Sequence, residues 1–132
     1  MSPAMRKTIR PYWAVSTLLL LGTLLGCTGS AVALVAVSII HGLHFIARTD
    51  PRSFPSQVRL AWFALLLAGL WPPLTPIHWI MLVGTSARLL TDYCLLARLI
   101  ALLPWNRRTP LSAALVCRAV LSPPRPGPFT AE

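Results

Sequence analysis

The fold class predicted by this sequence is an all-α membrane bundle with several transmembrane helices. Three observations predict it. Charged residues make up 11% of the 132 residues and hydrophobic residues 55%. Mean hydropathy is +0.67. A soluble domain has about 25% charged residues, so this composition does not suit a water-exposed surface. The second observation is where the charge lies. Arg6, Lys7 and Arg10 form one cluster, and Arg48, Arg52 and Arg59 a second. Arg98, Arg107, Arg108 and Arg118 form a third, with Arg125 in the tail, and only Arg88 lies well inside an apolar run. The third is that each long apolar run is interrupted by turn-forming residues.

The elements follow in order. Residues 11–47 carry no charge. As one helix they would measure about 55 Å, against a hydrocarbon core of about 30 Å. Gly26-Cys27-Thr28-Gly29-Ser30 lies near the middle and divides the run into spans of about 11–26 and 30–47. Lys7 and Arg10 then snorkel from the first span. The second apolar block, 60–103, is interrupted at Trp71-Pro72-Pro73-Leu74-Thr75-Pro76. Proline cannot continue a helix, because it lacks the donor and clashes with the preceding turn. The spans there are about 57–71, with Ser56 as N-cap, and 77–103, ending at Pro104-Trp105-Asn106.

Charge selects among topologies. With four crossings, the N-terminus, the 48–59 loop and the C-terminus share one side, which receives every basic cluster. The opposite loops are uncharged, as the positive-inside rule requires. Three crossings, with 11–47 as one span, would place one cluster outside. The ladder Gly22-xxx-Gly26-xxx-Ser30 argues for that alternative, since small-xxx-small spacing packs helices only if the helix continues. The predicted bundle covers 1–108. Residues 109–132 form a cytoplasmic appendage. Thr109-Pro110 opens a short interfacial helix over 111–121, and Ser122 to Pro128 is a proline-rich extended tail.

Leu24-Leu25-Gly26-Cys27, after a basic start and an apolar stretch, is similar to a bacterial lipobox. Cleavage there would leave Cys27 lipidated and three spans behind it. The continuing apolar run from Ala31 argues for an intact chain.

Residues from Gly84-Thr85-Ser86-Ala87-Arg88-Leu89-Leu90-Thr91-Asp92-Tyr93-Cys94 through Ala97-Arg98 to Leu103-Pro104-Trp105-Asn106-Arg107-Arg108 carry a resemblance. They resemble the C-terminal half of a family of small, uncharacterised inner-membrane proteins of Gram-negative bacteria. The resemblance implies a location in the bacterial inner membrane and carries no activity with it.

Candidate site residues are few. Arg88 and Asp92 are four apart and share a helix face. On a helix from Ile77, Arg88 would lie about 16 Å in, near the midplane. Such a pair is either a relay or substrate contact, or a neutralised pair locking the helix against protein. His41 and His44 share a face with Arg48 and could hold a cofactor together with a partner subunit, whereas His78 belongs to the other membrane surface. The three cysteines, Cys27, Cys94 and Cys117, are far apart and show no metal-ligand spacing. There is no nucleophile-base-acid set and no phosphate loop, so no catalytic residue, metal ligand or resident cofactor is assigned. A net charge of +9 would suggest nucleic acid in a soluble protein, but here it flanks apolar spans. The expected partners are the lipid bilayer and other membrane subunits, or copies of the same chain, and not nucleic acid. The expected function is that of a non-enzymatic accessory, scaffold or assembly subunit of an inner-membrane complex. The alternatives are a small transporter or channel component using Arg88 and Asp92, and a redox or metal-binding membrane subunit using His41 and His44.

Overall fold

The computed structural model describes residues 3–124. Their regular structure is entirely helical: α1 (Pro3–Leu24), α2 (Ser30–Ile46), α3 (Phe54–Gly69), α4 (Pro76–Thr91), α5 (Leu95–Ala101) and α6 (Ala113–Leu121), with a 3₁₀ turn at Pro72–Leu74. α1 packs on α2 and α4, and α3 packs on the same two helices. Chain direction alternates at each connection, so α1–α4 form an up-down-up-down bundle.

Residues 11–47 are divided between two helices rather than lying in one. α1 stops because Gly26 takes φ 78°, in the left-handed region that favours glycine. The amide of Cys27 bonds to the Gly22 carbonyl at 2.9 Å, and that of Gly26 to the Thr23 carbonyl at 3.2 Å. This pair of bonds is the Schellman arrangement, which satisfies the last carbonyls of a helix. Gly29, at φ 82°, then admits α2. The small-residue ladder is therefore not one face of a continuous span. Its Gly22 instead faces Ser30 across the hairpin, where an added Cβ would lie 3.3 Å from the serine Cβ.

α1 begins at Pro3, not near residue 11, and runs through Pro11. Tyr12 and Trp13, packed on α2 and α3, hold the segment helical despite the lost donor. α3 also begins earlier than expected. Its N-cap is Ser53, and Pro55 fits the first turn, where no amide partner is needed. Ser56 lies inside that turn, donating to the Asp50 carbonyl at 3.1 Å.

The largest departure is at 92–94. The expected single helix over 77–103 is two helices bent by 98°. Asp92 adopts φ 59° and ends α4. Cys94 then caps α5, its Sγ accepting from the Ala97 amide at 3.5 Å. Contacts to α6 accompany the break. The Tyr93 hydroxyl donates to the Val120 carbonyl at 2.6 Å, and Arg98 reaches the end of the same helix. α6 is capped by Ser112 rather than Thr109, because the Leu115 amide donates to Ser112 Oγ at 3.2 Å. The expected tail from Ser122 to Pro128 lies largely outside the described residues, as does Arg125.

Trp13, Leu20, Leu34, Trp62, Leu66 and Met81 fill the bundle interior. The hydroxyls of Ser38 and Thr85 are buried there too, each donating to the carbonyl four residues back. The outer faces are aliphatic: Leu18, Val32, Ile40, Leu43, Ile80 and Val83 are exposed. Among the described residues no single helix is long and apolar enough to cross a membrane. The bent pair α4–α5 meets the length and composition criteria only when taken together.

Candidate functional site: the basic pole of the bundle

The bundle collects charge at one end. The start of α1, the end of α2, the start of α3 and the end of α4 meet there. Arg10 donates to the Leu89 carbonyl at 3.4 Å, tying α1 to α4. Tyr12 stacks on His41 at 4.4 Å with rings 7° apart, tying α1 to α2. Arg59 donates from Nε to His41 Nε2 at 3.2 Å, tying α2 to α3. The opposite end, made of the 25–29 turn and the 70–75 turn, has no charged residue. One pole is therefore basic and the other uncharged.

Beneath this pole lies an aromatic layer. His41 meets Trp13 edge-on at 5.5 Å and Phe45 at 5.6 Å, and Trp13 meets Trp62 edge-on at 5.6 Å. Such edge-to-face contacts suit the ring quadrupoles. Trp62 Nε1 is buried without a hydrogen-bond partner. The Arg59 guanidinium covers the Phe45 ring at 3.3 Å, and its Nη1 donates to the Pro55 carbonyl at 2.7 Å. That last bond points the cation back along α3 toward the pole, the direction in which a helical side chain leans.

The expected histidine pair shares an aromatic neighbour. Both His41 and His44 lie beside Tyr12, His44 at 6.1 Å. An arginine N–H can only donate, so His41 Nε2 accepts and its proton sits on Nδ1. The nitrogen that would ligate a metal or haem is thus occupied. Among the described residues no group of three His, Cys, Asp or Glu side chains could hold a metal ion. His78 lies at the uncharged pole, buried against Gly69, with Nε2 3.0 Å from the Leu66 carbonyl.

Arg88 and Asp92 do meet, Nη1 to Oδ1 at 2.7 Å. Their place differs from the expected one. α4 ends at Thr91, so Arg88 is in its last turn and Asp92 is the residue that stops it. The pair lies at the basic end rather than half-way along a long span. Its side chains remain 26% and 40% exposed on the chain. Within one copy this face is only partly covered.

Two further residues were not singled out from the sequence. Tyr12 was hidden in an apolar run, although an adjacent Tyr-Trp pair beside a basic cluster is a signal for an aromatic layer. Arg98 reads in the sequence only as one member of the third basic cluster, at the end of the predicted 77–103 span. It is buried, with Nη1 donating to the Ala119 and Ser122 carbonyls at 2.8 Å and to Ser122 Oγ at 2.6 Å. Its Nη2 donates to the Pro123 carbonyl at 2.9 Å, and its cation lies over Tyr93 at 4.3 Å. Cys27 is exposed in the uncharged turn and Cys117 on α6.

No family model matches this chain, and no curated protein or solved structure is significantly similar to it.

Proposed function

We propose that this chain is a non-enzymatic, multi-pass protein of the bacterial inner membrane, acting as an accessory, scaffold or assembly subunit. In this reading α1–α4 cross the bilayer and the basic pole faces the cytoplasm. The observation that carries it is the combination of aliphatic outer faces with a single basic pole. Exposed Leu, Ile and Val on every helix of the bundle would cost free energy in water but not in lipid. Arginine and lysine gathered at one end suit the cytoplasmic head groups.

The helices are short for the task. Sixteen residues give about 24 Å against a core of about 30 Å. Local thinning and snorkelling accommodate such a mismatch at modest cost. At the far pole, exposed Leu70, Trp71 and Leu74 extend the apolar belt beyond the end of α3. A scaffold role suits a core packed with Trp13, Leu20, Trp62 and Leu66.

The native cysteines supply the test. Cys27 is at the uncharged pole and Cys117 on the cytoplasmic appendage. With Cys94 replaced by Ser, an impermeant maleimide should label Cys27 in spheroplasts and Cys117 only after permeabilisation. Labelling of Cys117 in intact spheroplasts rejects the topology. Purification in mild detergent should then bring down other membrane subunits.

A further inference from the structure

α2 and α3 leave a groove on the outer face of the bundle, beside the basic pole. Its volume is about 160 Å³. Ile39, Leu43 and Ile46 form one wall, and Leu60 and Phe63 the other. Gly42 opens its floor, since a Cβ there would meet nothing within 4 Å. The two hydroxyls at the groove are already engaged: Ser38 donates to the Leu34 carbonyl, and Ser56 to the Asp50 carbonyl. The walls are therefore apolar in effect.

One charged group lines this groove, and it is Arg59. Two of its five N–H groups are used, one by His41 and one by Pro55. Three remain, both on Nη2 and one on Nη1, in the planar fork that matches phosphate. Among the described residues no carboxylate lies within ion-pair distance of it. Exposed Arg48 and Arg52 in the adjoining loop add further positive charge and no compensating acid beyond Asp50. An apolar slot with an unneutralised guanidinium at its head calls for an amphiphile with a negative head and an alkyl tail.

We propose that the α2–α3 groove is a binding site for one anionic glycerophospholipid, its acyl chain along Leu43 and Phe63 and its phosphate on Arg59. The proposal rests on the membrane reading given above. It adds a lipid that is selected, rather than a bilayer that is only occupied. The affinity comes from apolar burial, and the selectivity from charge-assisted hydrogen bonds.

The full chain in mild detergent is titrated with phosphatidylglycerol or with phosphatidylcholine of the same acyl chains. Native mass spectrometry counts the lipid retained. Phosphatidylglycerol should bind on the order of tenfold more tightly, the factor expected from one charged hydrogen-bonding group. Arg59→Gln should remove the preference while leaving weak binding of both lipids. Gly42→Leu leaves the Arg59 contacts intact and fills the floor, so it should weaken both lipids. Equal retention of the two lipids overturns the proposal. So does a preference that survives Arg59→Gln, or a chain dimer that Gly42→Leu dissociates without loss of lipid. If Arg59→Gln aggregates, Gly42→Leu decides alone, and unchanged lipid retention overturns the site. An alkaline carbonate wash separates this from the reading beneath it. Release of the protein from membranes rejects the membrane reading; retention without lipid preference rejects only the site.

Discussion

The imidazole of His78 lies directly on the backbone of Gly69, so closely that a Cβ at residue 69 would overlap the ring. The contact joins the end of α3 to the start of α4 at the uncharged pole. The ring is buried and its Nε2 is within hydrogen-bond distance of the Leu66 carbonyl. It has little freedom to move aside.

Gly69→Ala should therefore destabilise the bundle. Overpacking costs about 1–3 kcal/mol, which exceeds the roughly 1 kcal/mol that alanine gains over glycine within a helix. In a His78→Ala background the same substitution should be neutral or stabilising, because the obstructing ring is gone. Gly42→Ala, facing open space, should stabilise by about 0.5–1 kcal/mol. Thermal midpoints in mild detergent order these variants. A Gly69→Ala protein as stable as the parent would show that the two helices are farther apart than described.

The Arg59–His41 bond makes a second expectation. His41→Phe keeps a ring for Tyr12 to stack on but removes the acceptor for Arg59 Nε. A fully buried donor left unpaired costs about 1–3 kcal/mol, and this part-buried one should cost less. Tyr12→Phe retains the stack and should stay within about 0.5 kcal/mol of the parent. Nitrogen NMR of the His41 ring should show Nδ1 protonated and Nε2 bare. The opposite tautomer would mean that Arg59 points elsewhere.

Parts of this fold differ in how far they could be read from the sequence. The hairpin at Gly26 was legible because glycine at a left-handed position follows from local chemistry. The turn at Pro72 to Pro76 was legible for the same kind of reason. The end of α4 was not. Thr91-Asp92-Tyr93-Cys94 contains neither glycine nor proline, and the contacts that accompany the break, from Tyr93 and Arg98 to α6, come from far along the chain. Charge position showed which residues share a pole. It could not show that Arg59 turns toward His41, or that Gly69 accepts a histidine ring, since both depend on how α3 is rotated against its neighbours.

Asp92 carries two loads, and they can be separated. It pairs with Arg88 and holds a left-handed conformation. A non-glycine residue there pays about 1–2 kcal/mol. Asp92→Ala should lose the pair, keep the strain and reduce accumulation in membranes. Arg88→Leu with Asp92→Gly should restore accumulation, because it removes both the stranded cation and the strain. Arg88→Leu with Asp92→Leu should recover less, for a branched side chain suits that conformation poorly. Equal recovery by the two double variants would show that residue 92 is not left-handed.

Arg98 docks the appendage. Its fork closes on carbonyls from Ala119, Ser122 and Pro123, the last acceptors of α6 and the residues just beyond. Cations at a helix C-terminus are favourable, and the planar guanidinium meets several carbonyls at once. A lysine keeps the charge but cannot span them. Arg98→Lys should therefore release α6 without unfolding the bundle. The change should appear as faster amide exchange over 113–122 while α2 and α3 stay protected. Tyr93→Phe, losing only the bond to Val120, should give a smaller effect in the same segment. The helix break at residues 92–94 should straighten partly in Arg98→Lys, since α5 would no longer be held by α6. Spin labels on α4 and α5 would report this as a longer distance between them. If exchange over 113–122 is unchanged in Arg98→Lys, the packing of Leu115 and Ala119 alone holds α6, and the arginine cage is incidental.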